Sequence, residues 1–215
     1  NGGSSSSSGA AGDPPPANVS VCSPGALFTA SPVAIADLNA TYGIKPLGNL
    51  NPSDHTFPTA HLYFYTKDSN PDQAGSDSVP VVAPSSIVVT RLYSSTQEST
   101  GKTDYSMVFY PCDQVQGYFN HMASFTGKVA EAYGAADTEC STYNPGSGNY
   151  IRCEKKVNVT VSGGEVIGTA GGATSNSTAV DFGFYDSRVT PLVFANDARV
   201  TSKATGLDSF HIVCA

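Results

Sequence analysis

Two histidines lie six residues apart in the stretch HTFPTAHLYFYT, residues 55–66, directly ahead of a run of aromatic residues. Histidine is a common ligand of metals and the usual carrier of protons near neutral pH. If HLYFYT forms a strand, alternate side chains share a face, so His61 lies on the same side as Tyr63 and Tyr65. Two interpretations follow: half of a metal site on the more polar face, or a histidine satisfied by a backbone carbonyl at the start of an ordinary strand.

Other positions suited to catalysis are few. His121 stands in GYFNHMASF, and Cys112 precedes it by nine residues, so a fold that brought the two together would form a cysteine–histidine dyad. The sequence has no G-x-S-x-G nucleophile elbow and no phosphate-binding glycine loop that carries a lysine. The eighteen acidic residues offer too many pairs to single out two for glycoside hydrolysis. The histidines are therefore the leading candidates for a site.

The five cysteines are better suited to disulfides than to zinc, because none forms a C-x-x-C pair. Cys140 and Cys153 flank STYNPGSGNYIR, a turn-rich loop that a disulfide would close. Cys22 and Cys214 lie near opposite ends of the chain and are predicted to tie the termini together, which leaves Cys112 without a partner. The alternative is five reduced thiols inside the core, which the composition disfavours.

The elements that would position these residues are short strands separated by turns such as NPSD, NPGSG and SGGE. Strands rich in Val, Ile, Tyr and Phe are predicted at 61–66, 86–93, 104–110, 157–161, 179–185 and 210–213. One helix is predicted at 127–134. The predicted fold class is all-β, a mainly antiparallel sandwich or barrel with at most one or two short helices.

Composition indicates a chain outside the cytoplasm, either secreted or held at the cell surface. Hydrophobic residues make up 40% of the sequence, enough for a globular core, whereas charged residues make up only 13%, about half the usual share. The net charge of −7 argues against nucleic acid as a partner. No apolar run reaches the roughly 18 residues of a transmembrane helix, so no transmembrane segment is expected.

The predicted domain organisation is an N-terminal tether at residues 1–20 and a single β domain at 21–215. The tether, NGGSSSSSGAAGDPPPANVS, combines a flexible Gly/Ser segment with a stiffer proline segment, as in the segment that follows the lipidated cysteine of bacterial lipoproteins. A competing hypothesis is an assembly arm, in which residues 1–17 add a strand to a neighbouring copy and build a homo-oligomer or filament.

The order of several segments resembles the lysostaphin-type zinc endopeptidases, which cleave peptidoglycan cross-bridges with a compact β fold called the duplicated hybrid motif. The succession is HTFPTAHLYFY, VPVVAPSSIVV, YFNHM, VSGGEVIGTAG and AVDFGFYD. It covers roughly residues 45–186, so the last 29 residues, 187–215, would be a C-terminal extension.

The resemblance implies a site and a cofactor. In that family an H-x-x-x-D motif and the second His of H-x-H bind zinc, and the Y-x-H-L histidine and the first His of H-x-H assist proton transfer. His55 stands for the first ligand, and the family's Asp falls near Ala60 or His61. Asp181 and Ala179 replace the H-x-H histidines, and His121 matches Y-x-H-L. The expected metal ligands are His55, His61 and Asp181, with His121 catalytic.

Three functions remain open at this point. The first is a degenerate peptidase-like domain that binds cell-wall peptide or glycan, or is reused as a structural subunit, since Ala179 carries no proton. The second is an active zinc endopeptidase with a rearranged set of two histidines and one carboxylate. The third is an extracellular filament or surface-layer subunit. A fold that has lost its metal, with His121 buried and Asp181 capping a turn, is the structural alternative.

Overall fold

In a computed structural model of the chain, the described residues are 14–25, 27–32, 41–46, 61–66, 79–144, 146, 148–170 and 179–188. Within them lie ten strands and the helix α1 (Gly127–Ala135). The strands are β1 (Thr41–Lys45), β2 (His61–Thr66), β3 (Pro80–Val82), β4 (Ile87–Gln97), β5 (Thr103–Cys112), β6 (Val115–Phe125), β7 (Glu139–Tyr143), β8 (Tyr150–Val161), β9 (Val166–Ala170) and β10 (Ala179–Asp186).

The predicted all-β fold class is confirmed, because the strand pairings are antiparallel and the described residues contain a single short helix. Five of the predicted strands and the predicted helix are present. The sixth predicted strand, at 210–213, lies outside the described residues, as does most of the predicted C-terminal extension.

The path of β6 determines the shape of the sheet. Eight strands follow the order β1-β2-β10-β6-β5-β4-β8-β7, and β9 pairs with both β6 and β3. Residues 115–120 of β6 pair with β10, whereas residues 122–125 pair with β9. Strand β6 therefore changes its neighbour near residue 121, and the sheet divides there.

One face of this sheet carries the hydrophobic core. The rings of Phe109, Phe119 and Phe182 lie with centroids 5.0–6.4 Å apart, and Phe64 of β2 joins the same cluster. Helix α1 buries Val129 in this core. Burying side chains of this size stabilises a fold by about 1.5–3 kcal/mol each. The opposite face of β2, β10 and β6 is left for polar groups.

Two disulfides are present in the described residues. Cys140 is joined to Cys153 across the β7–β8 hairpin, as the sequence predicts. The predicted pairing of Cys22 with Cys214 is wrong, because Cys22 is joined to Cys112, and Cys214 lies outside the described residues.

Hydrogen bonds to Asp113, the neighbour of Cys112, explain why Cys22 pairs with Cys112. The amide of Asp113 donates to the carbonyl of Ser20, and the carboxylate of Asp113 accepts from the amide of Cys22. These contacts hold residues 20–22 against the β5–β6 turn, next to Cys112. The disulfide also removes the thiol that a cysteine–histidine dyad would need. No helix among the described residues is long and apolar enough to cross a membrane.

Candidate functional site

Strand β10 lies between β2 and β6 and aligns polar residues of all three strands. Gly183 is paired with His61 on one side and with Tyr118 on the other, and Asp181 is paired with Asn120 of β6. Directly paired residues of neighbouring strands point to the same face. The side chains of His61, Asp181 and Tyr118 therefore share the face opposite the aromatic core.

A bulge in β6 brings His121 to the same face. Phe119 and Met122 are both fully buried in the core, although a regular strand would place residues three apart on opposite faces. The register shifts here, because Met107 pairs with Phe119 whereas Tyr105 pairs with Met122. His121 adopts φ 60°, the only positive φ of a non-glycine residue in the described ranges. Bulges and such strained backbones are concentrated near functional sites.

The three side chains predicted to form the site converge. Asp181 Oδ2 lies 3.5 Å from Nε2 of His61 and 3.5 Å from Nε2 of His121. The side chains of His61 and Asp181 are 7% and 4% exposed, whereas that of His121 is 34% exposed. His121 therefore lies between the buried pair and solvent. The remaining predicted ligand, His55, lies outside the described residues.

A second carboxylate holds the imidazole of His121. Nδ1 of His121 donates to Oδ2 of Asp104 on β5 at 2.6 Å, a short charge-assisted contact. Burial would lower the pKa of His121, but the hydrogen bond to Asp104 and the charges of Asp181 and Asp104 outweigh it and raise the pKa to about 9. An imidazole oriented by a carboxylate on one nitrogen, with the other nitrogen toward a reaction site, is the arrangement of a general base or acid.

Asp181 is in an environment that is costly for a carboxylate. Burial raises its pKa to about 7, with the charge of His121 acting in the opposite direction. Its Oδ1 atom is buried and has no hydrogen-bond partner among the described residues. A buried polar atom left unsatisfied costs about 1–3 kcal/mol, and more when it is charged. Such a cost is usually explained by a function or by an ion that the carboxylate binds.

The distances around Asp181 fit a metal ligand better than a strong hydrogen bond. A charge-assisted contact between an imidazole nitrogen and a carboxylate is normally about 2.7–2.9 Å long. In a tetrahedral zinc site with bonds of about 2.0–2.1 Å, neighbouring ligand atoms lie about 3.3 Å apart. The 3.5 Å between His61 Nε2 and Asp181 Oδ2 is close to that spacing. These two atoms could therefore serve as neighbouring ligands.

His121 has a different place in the site. Among the described residues, only Cys22, Cys112 and Asp113 have three ligand atoms that all lie within 4.8 Å of one another, and two of those sulfurs form a disulfide. The Nε2 atoms of His61 and His121 therefore lie more than 4.8 Å apart, although each is 3.5 Å from Asp181 Oδ2. The two histidines differ in their other contacts, because Nδ1 of His121 is held by the carboxylate of Asp104 and its side chain is the more exposed, which suits His121 to carry a proton.

Tyr118 and Tyr185 lie on the side of His61 that faces away from Asp181. The hydroxyl of Tyr118 is 3.1 Å from Nδ1 of His61. Burial, the nearby charges and a hydrogen bond to Tyr185 raise the pKa of Tyr118 well above its usual value of 10, so its hydroxyl stays protonated. Tyr118 is thus an outer partner of the candidate ligand.

Sequence reasoning missed Asp104, Tyr118 and Tyr185. One signal was available for Asp104, a lone carboxylate at the start of the predicted strand 104–110. If residues 115–125 had been predicted as a strand, the Asp113–Gln114 turn would have defined a hairpin. Its register would then have placed His121 near Asp104. Tyr118 and Tyr185 carry no signal of their own, because tyrosine is common in half-buried strands.

Comparison with known proteins adds no assignment: no protein-family model matches the sequence, and no curated protein matches it significantly.

Proposed function

We propose that the chain is an extracytoplasmic peptidase-like domain that binds zinc through His61 and Asp181 and transfers protons through His121. The observation that carries this proposal is the convergence of these three side chains on one face of the sheet. The order of sequence segments shared with the lysostaphin-type endopeptidases supports the same function.

The residues divide the chemistry between them. Zinc, when bound, supplies polarisation of a carbonyl and acidification of water. His61 and Asp181 would hold it, together with His55 as the ligand implied by the resemblance. With its pKa raised to about 9, His121 is protonated near neutral pH and would act as the acid that protonates the leaving amine, while Asp104 fixes its ring and stabilises the imidazolium.

The location and substrate class follow from separate arguments. Two disulfides and a low share of charged residues are typical of proteins in oxidising compartments. The resemblance supports cell-wall peptide as the substrate. The solvent exposure of His121 supports access of a large substrate from that side.

A zinc measurement tests the site. Purified protein is loaded with zinc, freed of excess metal and analysed for metal content, and its affinity is measured by competition with a chromophoric chelator. One zinc per chain is expected, with binding lost in His61→Gln and Asp181→Asn. Asp137→Asn, which changes an exposed carboxylate, is the matched control and should bind as the native protein does. Absence of stoichiometric zinc from the native protein would refute the proposal.

A second candidate function is binding of cell-wall peptide or glycan without turnover. Ala179 favours it, because this fully buried residue stands where the related enzymes carry a second proton-transferring histidine. Incubation with cross-linked peptidoglycan separates the two candidates. Release of new amino groups that depends on zinc and His121 supports hydrolysis, whereas co-sedimentation with the wall and no release supports the binding function.

Self-assembly through residues 1–17 stays a separate proposal. Sedimentation velocity across a concentration series would show assemblies of the full chain and monomers after deletion of residues 1–17. The deletion leaves the disulfide of Cys22 with Cys112 in place, so the domain keeps that crosslink. Equal sedimentation of both chains would contradict the assembly arm.

A further inference from the structure

We propose that Tyr118 is a positioning residue that holds His61 in the tautomer with its proton on Nδ1, so that Nε2 presents a lone pair toward Asp181. The role of this tautomer in zinc binding rests on the proposed function. The tautomer itself is a property of the metal-free protein and can be measured without any metal.

The contact depends on a glycine in the strand between the two residues. His61, Gly183 and Tyr118 form one row across β2, β10 and β6. The ring of Tyr118 crosses over Gly183 to reach Nδ1 of His61 at 3.1 Å. A Cβ atom on residue 183 would lie 2.5 Å from the hydroxyl oxygen of Tyr118, far inside contact distance. Only glycine leaves room for this hydroxyl, so Gly183 is part of the same arrangement.

The second partner of the hydroxyl is consistent with the proposed direction of the hydrogen bond. Tyr118 also bonds to the hydroxyl of Tyr185, and the two rings stack with centroids 5.8 Å apart. A phenol has one proton to donate and accepts through its lone pairs. When Tyr118 gives its proton to Tyr185, its oxygen is left to accept from His61, and the donor is Nδ1–H. The remaining nitrogen, Nε2, then carries no proton.

This tautomer leaves the space between His61 and Asp181 open to a cation. Nε2 and an ionised Asp181 Oδ2, 3.5 Å apart, are then both acceptors, and they repel each other unless a proton or a metal cation lies between them. A metal-binding histidine commonly donates its other ring N–H to an acceptor, which fixes the ring and raises the basicity of the ligating nitrogen. With the opposite tautomer, Nε2–H would point at the carboxylate and obstruct the ion.

Nitrogen-15 NMR of the imidazoles tests the proposal on metal-free protein. The chemical shifts and two-bond couplings of Nδ1 and Nε2 distinguish the two neutral tautomers, and the His61 signals are those absent from His61→Gln. We expect native His61 to be protonated on Nδ1. In Tyr118→Phe the acceptor is lost, and the proton should move to Nε2, where it can bond to Asp181. Tyr143→Phe, a change at a tyrosine 41% exposed on β7, is the control.

The outcomes are distinguishable from those of the zinc test. Protonation of Nε2 in the native protein would overturn the positioning role, whether or not zinc binds. The same holds if Tyr118→Phe leaves His61 protonated on Nδ1. With zinc, Tyr118→Phe should lose about 10–100-fold in affinity, and native affinity in this variant would also count against the role. A native Nδ1–H tautomer that shifts in Tyr118→Phe, in a protein that binds no zinc, supports the positioning role and removes the proposed function.

Discussion

Replacing Asp104 by asparagine should lower the pKa of His121 in the zinc-free protein. The substitution keeps the size and shape of the side chain and removes the charge that stabilises the imidazolium. Burial alone would lower this pKa, and the hydrogen bond to Asp104 and the charges of Asp181 and Asp104 raise it to about 9. Asp104 on β5 and Asp181 on β10 are the charged groups that face His121 among the described residues. The charge of Asp181 should therefore keep the pKa of His121 above its ordinary value in the variant.

The size of the change follows from the contact. A hydrogen bond to a charged group contributes about 1.5–3 kcal/mol, and one pKa unit corresponds to about 1.4 kcal/mol. Loss of the charge from the 2.6 Å contact should lower the pKa of His121 by about one to two units, to roughly 7–8. Because the side chain of His121 is 34% exposed, water screens the charge and the smaller figure is expected.

The assay is a proton NMR titration of the imidazole ring, with the His121 signal identified by its absence from His121→Gln. Asp137→Asn serves as the control for loss of an exposed carboxylate. An unchanged pKa in Asp104→Asn would refute the reasoning, because it would mean that the carboxylate does not stabilise the imidazolium.

The same contact predicts how stability depends on pH. The folded pKa of His121, about 9, lies above its unfolded value of 6.5. The contribution of protonated His121 to the free energy of unfolding is therefore fully present below about pH 6.5 and is lost as the pH rises through about 9. Asp104→Asn should reduce the free energy of unfolding more at about pH 6 than at about pH 10. Urea unfolding at both values checks this, and equal losses would contradict it.

Two further predictions concern the scaffold. Gly183→Ala should lower the free energy of unfolding by about 1–3 kcal/mol, because the added methyl group overlaps a buried tyrosine ring; unchanged urea unfolding would show that the ring can move aside. Removing the disulfide of Cys22 with Cys112 should cost about 4–5 kcal/mol, and removing that of Cys140 with Cys153 about 3 kcal/mol, because the sequence separations are 90 and 13 residues. Equal costs in paired Cys→Ser variants would count against this chain-entropy argument.

Regular strands with apolar and aromatic alternation could be predicted from the sequence. β2 and β10 were predicted almost to the residue because both carry period-two patterns between turn signals. β6 was missed because Gly117 and Asn120 weaken its pattern and the bulge at His121 shifts its phase by one residue. The position of a bulge depends on how both neighbouring strands pack, so the alternation of residues within one strand does not predict it.

The candidate site could be predicted only in part. His61, His121 and Asp181 were brought together by the order of segments, since their own spacing, 60 residues between each consecutive pair, says nothing about proximity. Asp104 depends on the register of a hairpin whose second strand was missed. Cys22 was assigned to the wrong partner because the argument used its position along the chain, whereas hydrogen bonds to Asp113 decide where it lies.

The attachment of residues 20–22 to the β5–β6 turn has a consequence for orientation. Cys112 and Asp104 lie eight residues apart on β5, which is about 27 Å of extended strand. The amino-terminal segment is thus crosslinked at the turn of this hairpin, and Asp104 of the polar cluster lies at the far end of the same strand. The crosslink of Cys22 to Cys112 therefore fixes this segment at a point about one strand length away from the polar cluster.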